Sequence, residues 1–402
     1  MVHLRRDVAL LFSARSARLF AYGSLSVVLA LYLSEAGLTG TQIGLIFTLT
    51  LAGDAGVSLW ITTTADRIGR KRMLILGAGL MILAAVVFSM TGNILLLMIA
   101  AIVGVISPSG NEIGPFLSLE QAALSQLLSS EDRTRAFAWF NLAGSLATAA
   151  GALCGGLLSK GLRLAGLSEI ASYRAVILGY AGFGVVLIAI FLLLTPAVEA
   201  AAAVPATRRI LGLHASKRIV MKLSGLFALD AFAGGFVIQS MVAYWFHIKF
   251  GVDSGLLGII FFSANILAGI SALLAVRIAS RIGLINTMVF THIPSNVLLC
   301  IVPFMPNLML AIAVLLLRFS ISQMDVPTRQ SYIMATVAPD ERAAASGVTT
   351  IARSVGASIS PVLSGVFLVS PFMMSAPFLF AGGLKIVYDV LLYRSFKKMD
   401  VT

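Results

Sequence analysis

Charge is what this chain has least of. Only 11% of its 402 residues are Asp, Glu, Lys or Arg, against 59% hydrophobic residues and a mean hydropathy of +0.98. A water-exposed surface is roughly one-quarter to one-third charged, so this composition excludes a soluble globular fold. Cysteine is nearly missing. Cys154 and Cys300 stand in separate apolar stretches without CxxC spacing, which excludes a disulfide framework or a cysteine metal site. The four histidines, His3, His214, His247 and His292, are isolated. With no HExxH, no Ser/His/Asp spacing and no phosphate-binding loop, neither an enzyme nor a cofactor is expected. Acids are outnumbered 17 to 29, for a net charge of +12, but the basic residues fall in short gaps between apolar runs. A nucleic-acid footprint needs them gathered on one soluble face. No small-residue cleavage site follows Arg5, Arg6 and Asp7, so a removed signal peptide is not expected.

What is present is a succession of long apolar runs. Each is about 20 residues, the length that crosses ~30 Å of hydrocarbon. They predict spans at about 16–35, 41–63, 73–92, 94–123, 136–159, 173–195, 219–247, 254–279, 286–305, 307–334, 343–369 and 372–394. The expectation is an all-α membrane protein of twelve transmembrane helices. Spans four and ten run long, which reads as projection of their cytoplasmic ends beyond the bilayer. If the N-terminus is inside, 21 of the 29 Lys and Arg residues lie in inside segments, 4 in outside segments and 4 within spans. Positive loops stay in the cytoplasm, so both termini are expected there, in a bacterial cytoplasmic (inner) membrane.

The longest polar connection divides the chain into an N-terminal six-helix bundle (1–195), a cytoplasmic linker (196–218) and a C-terminal six-helix bundle (219–402). The halves resemble each other. Ser130-Glu131-Asp132-Arg133 matches Pro339-Asp340-Glu341-Arg342 at an offset of 209 residues, and at that offset Glu120 falls on Arg329 and Gly156 on Gly365. An internal duplication of this kind puts a substrate site near the midplane between the repeats.

Between spans two and three the chain reads Ala65-Asp66-Arg67-Ile68-Gly69-Arg70-Lys71-Arg72. This resembles the DRxGRKR loop of the major facilitator superfamily, at the corresponding connection of a twelve-span, two-repeat chain. The resemblance implies that fold, two pseudo-symmetric bundles that rock about a central site, and a monomer. It also implies a conformational latch in which Asp66, framed by Arg67, Gly69, Arg70 and Lys71, meets span eleven, where Arg353 is available. Two departures stand out. Thr62 replaces the leading Gly, and the related loop Ser280-Arg281-Ile282-Gly283 lacks the acid. In span five, Gly151, Gly155 and Gly156 are similar to the GPxxGG element of the drug and metabolite antiporters that exchange against protons, with Ala152 in place of Pro. Pro361 and Gly365 keep the pattern in span eleven, while the span-four arginine of many such antiporters is absent. Small residues at this spacing also let helices pack closely in any membrane bundle.

Charges inside hydrocarbon are costly and are functional candidates by default. Glu112 leads, in Ser107-Pro108-Ser109-Gly110-Asn111-Glu112, where Pro and Gly predict an opened helix. Asp54 and Asp230 are the other proton-coupling candidates. For substrate the candidates are Asn111, Arg318, Gln239, Gln323, Asn265, Tyr22 and Phe236, with Arg318 suited to an anionic or zwitterionic compound. Asp325 with Arg329, and Lys385 with Asp389, stand four residues apart and read as structural charge pairs. The expected function is secondary transport by alternating access. Proton-coupled efflux of a small drug or metabolite is one reading, and proton-coupled uptake of a nutrient such as an organic acid or sugar is the other. Protons, the small-molecule substrate and the bilayer are the expected partners, with no nucleic acid and no metal.

Overall fold

The computed structural model describes residues 2–110, 115–199, 214, 216–338 and 341–397. Among these residues there are helices and no strands. The first half contains α1 (Val2–Glu35), α2 (Gly40–Ile68), α3 (Arg70–Met90), α4 (Ile94–Val103), α5 (Phe116–Leu127), α6 (Ser130–Leu164) and α7 (Glu169–Leu192). The second contains α8 (Lys217–Gly235), α9 (Gln239–Phe250), α10 (Ser254–Ile282), α11 (Leu284–Ile301), α12 (Leu308–Phe319), α13 (Asp325–Thr336), α14 (Arg342–Val369) and α15 (Ala376–Phe396). Ten helical stretches are long and apolar enough to cross a membrane, and α4 and α12 are shorter apolar helices.

Spans four and ten are long for a different reason from the one expected. Each contains two short helices: between α4 and α5 the described residues 104–110 and 115 are not helical, and α12 and α13 flank residues 320–324. Pro108 denies the first stretch a backbone donor, and Gly110 takes φ +68°, a conformation that side-chained residues rarely adopt. In span ten the cause is Pro327. It offers no N–H to the carbonyl of Gln323 and its ring crowds that carbonyl, so the helix restarts at Asp325 with Pro327 in its first turn. The second half-helices, α5 and α13, each have 12 residues and start 209 residues apart, the spacing of the sequence repeat.

The chain forms two compact units. One comprises Met1–Ala206 with Gln239–Phe262, the other Thr207–Ile238 with Ser263–Thr402. The boundary therefore runs through spans seven and eight rather than only through the linker. In the first unit α1 packs along α6 so closely that a Cβ on Gly151 would lie 2.0 Å from the Phe20 carbonyl oxygen. In the second unit α8 meets α14 in the same way, with Gly356 against the carbonyl of Ala228. Small residues thus set the closest helix pair in each repeat. The second unit's apolar core gathers Leu223 and Phe227 of α8, Met288 of α11, Tyr332 of α13 and Tyr388 and Leu392 of α15.

Candidate functional site

In the second unit, Asp230 of α8 is the centre of a buried charge network. Its Oδ1 accepts from Lys385 Nζ of α15 at 2.5 Å. Its Oδ2 accepts from Arg353 Nη1 of α14 at 3.0 Å and from Arg329 Nη1 of α13 at 3.4 Å. Arg329 also donates to Asp325 Oδ2 at 2.8 Å, so that pair forms within its own helix as its spacing predicts. The charges expected to pair along α15 look elsewhere. Lys385 turns to Asp230, and Asp389 is held by His292 of α11 at 2.8 Å and by Asn296 Nδ2 at 3.0 Å. Asp230, Asp325, Arg329 and Asp389 are all buried. Charges at this depth persist only when paired and hydrogen-bonded, and one carboxylate shared by three cations meets that condition by convergence.

The first unit holds a related pair with the signs exchanged. Arg18 of α1 binds Glu120 of α5 through Nη1 to Oε1 at 2.5 Å and Nη2 to Oε2 at 2.9 Å, with both side chains 0% exposed. Its guanidinium carbon lies 4.5 Å from the centre of the Phe116 ring. Glu120 and Arg329 occupy equivalent places in α5 and α13. The carboxylate is on the half-helix in the first unit and on the first span of the repeat, as Asp230, in the second. Sequence reasoning aligned Glu120 with Arg329 but did not find their partners, because Arg18 lies 102 residues from Glu120 and Asp230 99 from Arg329.

Near the opened stretch of span four the first unit is polar. Ser26 Oγ of α1 accepts from Gln239 Nε2 at 2.7 Å, and Ser240 donates from its hydroxyl to the Ser26 carbonyl at 2.7 Å and from its N–H to the Pro108 carbonyl at 3.0 Å. A Cβ on Gly110 would come within 2.9 Å of Ser26 Oγ, so the backbone passes this cluster at a distance only glycine allows. Tyr22 is buried and stacked on Tyr180, whose hydroxyl donates to the Val105 carbonyl at 2.8 Å. Asn111 and Glu112, next along the chain, lie outside the described residues. Asp54 is half-buried on α2, with Ser58 Oγ at 3.5 Å. Ser26 and Ser240 carried no sequence signal beyond being small and polar.

Other candidates are placed as follows. Arg318 is in the last turn of α12, its guanidinium 4.9 Å from the Phe319 ring centre. The Gln323 N–H donates to Ser271 Oγ at 3.3 Å, and Asn265 is half-buried on α10. Phe236 is 3% exposed among Phe232, Phe367 and Phe380, an environment of ring packing. In the basic loop, Asp66 is 60% exposed and pairs with Arg70 Nε at 3.1 Å, Arg67 is exposed, and Gly69 takes φ +112° as it starts α3. Arg353 donates to Asp230. Glu199, which sequence reasoning passed over, accepts from the backbone N–H of Arg70 at 2.6 Å and Lys71 at 3.3 Å. It thereby supplies the anion that the start of α3 lacks. Lys71 Nζ donates to the carbonyls of Leu192 and Leu194, both at 2.8 Å, so the loop grips the end of span six. Gly155 lies against Ser24 and Gly156 against Gly258, while Pro361 and Gly365 are buried within α14.

Comparison with known proteins agrees with this architecture. The sequence profile described as Major Facilitator Superfamily matches residues 11–361 and 249–399. The chain is 30% identical to the uncharacterized membrane protein YJR124C of Saccharomyces cerevisiae, over 98% of this chain and 95% of that protein. Among solved structures it resembles the nucleoside transporter NupG at a TM-score of 0.76 and 15% identity, covering 97% of this chain and 99% of that one. It also resembles a D-xylose-proton symporter at 0.70 and 12%, covering 96% and 97%. Long apolar helices, duplicated half-helices around two interrupted spans and a profile match across most of the sequence agree: the chain is an integral, multi-pass membrane transporter that belongs to the Major Facilitator Superfamily.

Proposed function

We propose that this protein is a secondary active transporter working by alternating access, which exports a small organic compound, a drug or metabolite, in exchange for protons, with both termini in the cytoplasm. The observation that carries the reading is the Asp230 carboxylate shared by Lys385, Arg353 and Arg329. Adding a proton to it removes the negative charge that holds three cations on three other helices together. A network of that kind is bistable, and protonation biases it only through the difference in proton affinity between its two states. Glu112 and Asp54 are the carboxylates of the first half that would share the task, and Asp66 with its basic frame would latch one state. Arg318, Gln239, Gln323 and Asn265 would contact the substrate. Uptake of an organic acid is the second reading, favoured by the deep cation Arg318. One structural neighbour is named as a proton symporter, which supports proton coupling on this fold without giving a direction.

The test is charge movement in proteoliposomes challenged with pooled drugs, sugars, amino acids and organic acids over a range of pH. The wild type is expected to give a pH-dependent signal that Asp230→Asn loses while still reaching the membrane. The same pH dependence in Asp230→Asn removes that residue from the coupling site. No proton-linked signal from any pool overturns the reading.

A further inference from the structure

The helices of the second unit carry Arg318, Arg329, Arg353 and Lys385 together with the carboxylates Asp230, Asp325 and Asp389. The carboxylates are all engaged: Asp230 by three cations, Asp325 by Arg329, and Asp389 by neutral or protonatable partners, His292 and Asn296. Arg318 is the cation left over. Among the described residues it makes no ion pair, and its buried Nε has no hydrogen-bond partner. Four residues on, inside the interruption of span ten, Ser322 is 4% exposed and its buried hydroxyl also has no partner. Buried donors are almost always satisfied, and two orphans four residues apart, one at the edge of a gap in a helix and one within it, are a place prepared for something else. The position of Arg318 at the C-terminal end of α12 and over Phe319 eases its charge, but leaves both polar groups unmet.

We infer that the interruption of span ten binds the negative charge of the substrate, and that the substrate is a small organic monoanion, a carboxylate, held by Arg318 and Ser322. A carboxylate supplies the counter-charge that Arg318 lacks, and offers two oxygens to a guanidinium and a hydroxyl in the planar geometry that Arg favours. The inference rests on the transporter reading above and names the class of its substrate.

Binding and transport are measured separately. Purified full-length protein is titrated with benzoate and lactate, and with the neutral amides benzamide and lactamide, following the thermal unfolding midpoint. Counterflow of labelled benzoate and benzamide is then measured in proteoliposomes. The acids are expected to raise the midpoint and the amides to leave it unchanged. Arg318→Gln weakens acid binding by about 10- to 100-fold, Arg318→Lys keeps part of it, and Ser322→Ala weakens it by about 3- to 10-fold. The assignment is overturned by an equal response to acids and amides, by no response to either acid, or by an acid response unchanged in Arg318→Gln and Ser322→Ala. So is a loss of unliganded stability in Arg318→Gln with the acid shift intact, the mark of a structural role. Acid binding without counterflow keeps the anion site and rejects transport. Counterflow of benzamide alone does the reverse.

Discussion

Arg18 and Glu120 are joined through both arms of the guanidinium and both carboxylate oxygens, and neither side chain reaches solvent. The pair ties α1 to α5, the second half of span four. It stands where the second repeat has Asp230 and Arg329 with opposite signs.

Removing one partner takes from the other buried charge its two-point counter-ion, so Glu120→Gln or Arg18→Leu is expected to destabilise the protein by about 3–5 kcal/mol. Replacing both with Leu strands no charge and recovers most of that loss. Thermal unfolding of the two single variants and the double variant in detergent checks the coupling. Losses that simply add would mean that the two residues do not stabilise each other.

Two glycines of α6 give opposite expectations. A Cβ on Gly151 meets the backbone of α1 at 2.0 Å, whereas one on Gly161 meets nothing within 4 Å. Gly151→Ala therefore forces α1 and α6 apart and costs about 1–3 kcal/mol. Gly161→Ala is neutral or gains up to about 1 kcal/mol from helix propensity. Unfolding midpoints of the two variants, measured side by side, decide the point.

Glu341, immediately before α14 and outside the spans, ties the approach to α8. Burial works against its charge but is outweighed by the Ser216 hydroxyl and by the backbone N–H groups of His214 and Ser216, which bring its pKa from 4.5 down to about 2. A carboxyl whose pKa falls on folding contributes stability above its unfolded value and loses it as the pH drops toward the folded one. Protection of the Ser216 amide from hydrogen exchange is therefore expected to hold at pH 5 and to fall away between about 4.5 and 2. In Glu341→Gln protection is lower at pH 5 and flat across that window.

Hydropathy was enough to read the spans, because the bilayer demands length and apolarity and little else. Asp325 and Arg329 were legible as a pair since one turn of helix brings them together. Lys385 and Asp389 have the same spacing but find other partners, because α8 and α11 bring Asp230 and His292 to the two faces of α15. Local periodicity cannot report which helix lies opposite. The length of span ten was read as overhang and is an interruption, although Pro327 stood in the sequence as its cause. Glu199 was hidden in a linker that looked featureless, where its value lies in two backbone N–H groups at the start of α3 rather than in any motif of its own.

The segment Gln239–Phe262 folds with the first unit although it follows the linker. A chain cut within residues 196–218 would therefore give two fragments of which neither carries a whole unit. The first would lack the partner of Ser26, and the second would expose the faces of α9 and early α10 that pack on α1 and α6. Halves expressed apart are expected to fail, and halves produced together in one membrane to assemble by complementation, as a split protein rather than as two joined domains.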